Sequence, residues 1–130
     1  MEQKPTPVRR FEDLMAWQEA RILSKAVWDA VHPPDRKIDW GLTDQLCRAA
    51  RSVMANIAEG FEKNGRKEFA HGLTIAKGSC GEVRSFLHGA EDEGNIPPEL
   101  AAELRLRAER VSRLLHGLRE GVGRGDRGKK

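Results

Sequence analysis

The chain has 130 residues, of which 33% are charged and 38% hydrophobic, with a formal net charge of +3. That is room for one domain around one core, and no apolar run approaches the roughly 20 residues of a membrane-spanning helix. The opening residues MEQKPTPVRR lack the apolar centre of a signal peptide, and two cysteines far apart make no disulfide framework, so the expectation is a soluble cytoplasmic protein with reduced thiols.

In chain order, residues 1–10 carry a net +2 and read as a flexible basic N-terminal arm. The first helix is expected over about 11–31, because Ala16, Ala20, Leu23, Val27 and Ala30 recur at steps of four and three. His32-Pro33-Pro34 stops it. The connection that follows contains Ile38 and Trp40, which predicts a loop folded back on the core. The second helix spans about 42–63, with Leu46, Ala49, Val53 and Ile57 as its stripe, and ends at Asn64-Gly65, where the glycine suits a left-handed helix terminus. The third, about 66–93, has the cleanest stripe: Phe69, Leu73, Ala76, Cys80, Val83, Leu87, Ala90. The fourth begins at Pro97-Pro98 and runs to about 120 on Ala101, Leu104, Ala108, Val111, Leu115 and Leu118. Residues 119–130 read as a disordered, basic, Gly-rich tail. Two very short connections make consecutive helices antiparallel neighbours, so the fold class is all-α, an up-down-up-down four-helix bundle over 11–118.

The tail holds five Lys/Arg against two Asp/Glu, a net of +3 that equals the charge of the whole chain. The bundle itself is therefore not a basic domain. Arg48, Arg51, Lys63, Arg66 and Lys67, together with Arg124, Arg127, Lys129 and Lys130 in the tail, are the candidate nucleic-acid contacts. Asp44, Glu59 and Glu62 share the face of Arg48 and Arg51, so ordinary surface ion pairs are the competing account.

The segment IAKGSCGEV, residues 75–83, invites a catalytic reading. A nucleophile elbow needs G-x-S-x-G on a strand-to-helix turn, whereas Ser79 follows Gly78 directly within a helix. A phosphate loop needs its glycines at a helix N-terminus, and these lie about three turns in. Cys80 falls on the core stripe as a small apolar filler. Glu68 and His71 form a single E-x-x-H step, where a di-iron bundle requires two plus further carboxylates, and His32, His88 and His116 show no ligand spacing. No catalytic residue, metal or cofactor is expected.

The outward side of the third helix carries Thr74, Gly78, Gly81, Ser85 and Gly89. An exposed glycine inside a helix costs about 1 kcal/mol relative to Ala. A second helix packing closely on this smooth side would offset that, so these five residues are the expected subunit interface.

Three stretches, FEDLMAWQEA (11–20), GLTDQLCRAARSVMANIAEG (41–60) and EFAHGLTIAKGSCGEV (68–83), resemble a bacterial four-helix bundle family that includes proteins encoded by intervening sequences in 23S ribosomal RNA genes. The resemblance covers about 8–118 and implies a non-enzymatic cytosolic bundle assembled as a ring, with a homopentamer favoured. The family's polar pattern falls here on Arg48, Ser52, Asn56, Glu59, Ser79 and Glu82. Gly72 replaces a bulkier residue of the pattern, and Asn95-Ile96 stands where a glycine and a tyrosine are common. A related branch, the accessory proteins of diversity-generating retroelements, forms basic pentamers that bind nucleic acid and reverse transcriptase. The leading expectation is an oligomeric, non-catalytic assembly or adaptor protein. The alternative is an RNA- or DNA-binding accessory protein that acts through its basic ends and the avidity of the oligomer.

Overall fold

Four long helices make up most of the described backbone. The computed structural model describes residues 7–35 and 40–125. A single 3-10 turn, Phe11–Asp13, precedes α1 (Met15–Val31), α2 (Trp40–Glu62), α3 (Arg66–Asp92) and α4 (Pro98–Gly123). No strand occurs among the described residues. Each helix packs on the next, and α4 closes on α1, so α1 and α3 stand at opposite corners. The pairings Ser52–Ser79 and Phe61–Phe69 on α2 and α3 run in opposite directions along the two helices, which makes them antiparallel. Residues on the 3.6-residue stripes meet along the axis: Leu23, Val27, Leu46, Ile57, Phe69, Leu73, Leu87, Leu115 and Leu118 are almost wholly buried.

The helix ends differ from the sequence reading in instructive ways. Leu14 has extended backbone and is fully buried, so the chain makes a 3-10 turn and a break before α1 instead of one continuous helix. The Asp13 carboxylate accepts the N–H groups of Arg9 and Arg10, at 3.0 and 3.1 Å, which ties down the end of the basic arm. Val8 also packs against the core. Residues 1–6 lie outside the described part.

At the α2–α3 turn the left-handed residue is Asn64, with φ of 60°, whereas Gly65 is extended and starts α3. Asn is the non-glycine residue that tolerates this region best. The Glu68 carboxylate folds back over Gly65 at the start of α3, where the helix dipole favours negative charge. Gly94, with φ of 74°, closes α3, and the Asn95 N–H reaches the Ala90 carbonyl at 2.8 Å.

Two expectations are corrected. Trp40 does not fold back on the core: it begins α2 and is 70% exposed, while Ile38 lies outside the described residues. The segment 119–130 is not all tail: α4 continues to Gly123, with Val122 fully buried. Residues 126–130, including Arg127, Lys129 and Lys130, lie outside the described residues.

Candidate interaction surfaces

The GSCG segment sits in the middle of α3, and its reactive groups are disarmed by their surroundings. The Cys80 side chain is fully buried, and burial pushes its thiol up to about 12, with Arg84 pulling weakly the other way. At neutral pH it is therefore a protonated, apolar filler rather than a thiolate. Ser79 is only 4% exposed, and its hydroxyl lies 2.9 Å from the Ser52 hydroxyl on α2. Asn56 donates its side-chain amide to the Ser52 carbonyl and hydroxyl, at 2.8 and 2.9 Å. Three of the six motif positions thus form one polar clasp between α2 and α3. The other three stay on the surface: Arg48 pairs with Asp44 at 3.6 Å, Glu59 with Lys63 at 3.3 Å, and Glu82 is exposed without an ion pair among the described residues.

One feature of this seam was missed from the sequence. Gly60 and Gly72 mark a close crossing of α2 and α3. A Cβ on Gly72 would lie 2.7 Å from the Asn56 carbonyl oxygen and 2.9 Å from the Gly60 Cα. The departure at Gly72 is therefore a packing requirement. In the sequence Gly60 and Gly72 stand beside the core stripes, next to Phe61 and Leu73, a position that gives their side of the helix but not the distance to the next backbone.

The five residues expected at a subunit interface do face away from the core. Thr74, Gly78, Gly81 and Ser85 are exposed and Gly89 is half-buried. A Cβ at Gly78 or Gly81 would meet nothing within 4 Å. The Thr74 hydroxyl turns back to the Ala70 carbonyl at 3.0 Å, which keeps that side of α3 low.

A second exposed surface, on α1, was not singled out from the sequence. Trp17, Ile22 and Ala26 form the floor of a groove of about 530 Å³, rimmed by Arg21, Lys25 and Asp29. Ile22 is 45% exposed; Trp28, 47% exposed, lies about 120° around α1 from it and lines a separate groove toward α2. The outward positions of α1 broke the stripe with aromatic and aliphatic residues, and that was the overlooked signal.

The candidate nucleic-acid contacts do not form one patch. Arg48 lies on α2 and Lys63 just past its end, fifteen residues on, about 22 Å at 1.5 Å per residue. Arg51 instead lines a groove with Trp28, Cys47 and Met54 between α1 and α2. Lys63, Arg66, Lys67 and Arg124 do belong to the same end of the bundle: the Arg66 guanidinium comes within 2.9 Å of where a Cβ on Gly125 would sit. Among the described residues, no three His, Cys, Asp or Glu side chains gather as a metal site, and no helix is long and apolar enough to cross a membrane.

The profile of the 23S rRNA-intervening sequence protein family matches residues 12–117. The chain belongs to this family. Among solved structures, it is similar to a protein of unknown function from the S23 ribosomal protein family of Bacteroides thetaiotaomicron. The two share 16% sequence identity and a TM-score of 0.72, over 82% of this chain and 99% of the other. At that identity the likeness establishes the common bundle and nothing beyond it. No curated protein matches the chain. In family terms, the match takes in all of α1, α2 and α3 and stops inside α4, so the polar clasp, the Gly60–Gly72 crossing and both exposed surfaces fall within it.

Proposed function

We propose that this family member is a non-catalytic homo-oligomer, an assembly or adaptor protein built from copies of one bundle. Five copies is the number the family resemblance implies. The observation that carries the reading is the apolar groove on α1, where Ile22, 45% exposed, lies with Trp17 and Ala26 on a helix whose other side is fully packed. Apolar residues grouped in this way mark contact surfaces on folded proteins. The low, glycine-bearing side of α3 offers a second place for close approach. The protonated Cys80 thiol and the clasped Ser79 hydroxyl support the absence of nucleophilic catalysis at the segment that most invited it.

Light scattering on a size-exclusion column at micromolar concentration tests this. A mass several times 14.6 kDa is expected, and five times that value for the pentamer. A peak at the monomer mass sinks the proposal.

One observation favours nucleic-acid binding as a second reading. Arg66 and Lys67 at the start of α3 share an end of the bundle with Arg119 and Arg124 at the close of α4, which line a common groove with Ala70. An oligomer would repeat this basic end in every copy. Affinity for single-stranded RNA should then fall steeply with salt, and fall further in Arg66→Ala/Lys67→Ala. Removing residues 126–130 should weaken it again while leaving Val122 in the core. Absent or salt-insensitive binding rules this reading out.

A further inference from the structure

We infer that the groove between α1 and α2 is a nucleotide site, in which one base stacks on Trp28 and its phosphate is held by Arg21 and Arg51. This goes beyond the self-association proposed above and needs neither it nor the basic end of the bundle. The groove has a volume of about 270 Å³, with Trp28, Cys47 and Met54 as its apolar lining and Arg21, Lys25 and Arg51 as its cations. Each helix supplies it from one side: Arg21, Lys25 and Trp28 follow at steps of four and three on α1, and Cys47, Arg51 and Met54 do so on α2. Sites that enclose a drug-sized ligand occupy roughly 300–1,000 Å³. This groove falls below that range, so it suits a single base with its phosphate at the rim and not a larger cofactor.

Trp28 is the reason for a flat ligand. It is 47% exposed, yet it is not loose. The His32 ring stacks on the indole at 3.6 Å and 25°, and its Nδ1 lies 2.9 Å from the Trp28 carbonyl oxygen. His32 does not line the groove, so the indole presents its other side there. An aromatic face held in place before the ligand arrives loses little entropy on binding, and every base offers it a π-face. The charges call for an anion. Lys25 is paired with Asp29 at 2.6 Å, and the Asp44 carboxylate is taken by Arg48 at 3.6 Å. Arg21 and Arg51 have no carboxylate partner among the described residues. Arg51 lies near the floor: burial pushes the Cys47 thiol up, and the Arg51 cation pulls it back. Arg21 stands seven residues before Trp28, about 10 Å along α1 and on the same side. Two uncompensated guanidinium forks match the charge of about −1.5 to −2 on a phosphate monoester. The larger groove around Ile22 has Asp29 on its rim and lacks Arg51, so it is the poorer home for an anion. A carboxylate-bearing protein segment would use the arginines but has no need of a preset flat face.

Trp17→Phe and Trp40→Phe together leave Trp28 as the sole tryptophan of the full chain. Adenosine monophosphate should quench its emission saturably, at millimolar concentration or below. Adenosine should bind more weakly, and inorganic phosphate should compete only weakly. Arg21→Gln and Arg51→Gln should each weaken binding of the monophosphate about tenfold and leave that of adenosine unchanged. Calorimetry on chains that keep all other residues should repeat these losses, and Trp28→Leu should abolish the heat of both adenosine and the monophosphate. All three side chains are exposed, so these variants should fold, which unchanged circular dichroism checks. A short oligoadenylate that binds more tightly per site than the monophosphate assigns the groove to a nucleotide within a strand; equal or weaker binding assigns it to a free nucleotide, and either supports the inference. Absent quenching, or quenching that both arginine substitutions leave unchanged, overturns it. So does inorganic phosphate that binds as tightly as the monophosphate, or an oligoglutamate peptide that displaces the nucleotide at lower concentration than phosphate does. Quenching that appears only after dilution has dissociated an oligomer also overturns it, because a neighbouring copy then covers the groove.

Discussion

At the scale of single residues, identical chemistry has opposite consequences depending on what a Cβ would meet. Gly72 faces backbone, the Asn56 carbonyl and the Gly60 Cα, neither of which can move without separating two helices. Gly72→Ala should therefore destabilise the fold by about 1–3 kcal/mol, seen as a lower urea midpoint with unchanged slope. Gly78 faces open space, so Gly78→Ala should raise the stability of the isolated bundle by up to about 1 kcal/mol through helix propensity alone. If the seam is a contact, the same substitution lowers the oligomeric mass while raising monomer stability. Cys80 makes a third residue-level prediction. Its thiol titrates near 12 in the folded chain and near the ordinary thiol value once unfolded. A raised acid favours the neutral form, so its stabilising contribution is complete below about 8.5 and is lost between there and about 12. The urea midpoint should fall more between pH 8 and pH 10.5 in the wild type than in Cys80→Ala. The chain has no tyrosine, so no phenolate obscures thiolate absorbance in that range.

At the scale of elements, the α2–α3 pair is the best-specified part of the bundle, because it combines a close crossing with a polar clasp. Ser79→Ala removes one hydroxyl but leaves Ser52 bonded to Asn56, so it should cost only about 1 kcal/mol in a thermal or urea melt. A loss several times larger would mean that the clasp acts as an indivisible network. The helices themselves were legible because apolar residues recur at three and four over stretches bounded by His32-Pro33-Pro34, Asn64-Gly65 and Pro97-Pro98. The ends were less so. Asn64 took the left-handed position expected of Gly65, since Asn tolerates it and an extended Gly65 lets Glu68 reach the start of α3. The Gly-rich composition from residue 119 onward suggested a tail, yet Val122 had a place in the core and α4 continued to Gly123. The Gly60–Gly72 crossing was hidden because periodicity tells which side a residue takes, not how near the next backbone comes.

At the scale of the whole molecule, the chain buries its core without help and still leaves apolar surface that a single copy does not use. Two of its three tryptophans, Trp17 and Trp28, lie on the α1 surface, whereas Trp40 stands 70% exposed at the start of α2. Intrinsic fluorescence therefore reports on assembly with little contribution from refolding. If α1 is covered by a neighbouring copy, Trp17 and Trp28 lose water, and emission lies further to the blue in the oligomer than in the monomer. Dilution through the dissociation range should then shift emission to the red while the far-ultraviolet circular dichroism stays constant, because the helices do not depend on the contact. Trp40→Phe should sharpen the change by removing the signal that does not respond. Emission that stays fixed while light scattering records dissociation would place the contact elsewhere, and the α1 surface would then be free to meet a different partner.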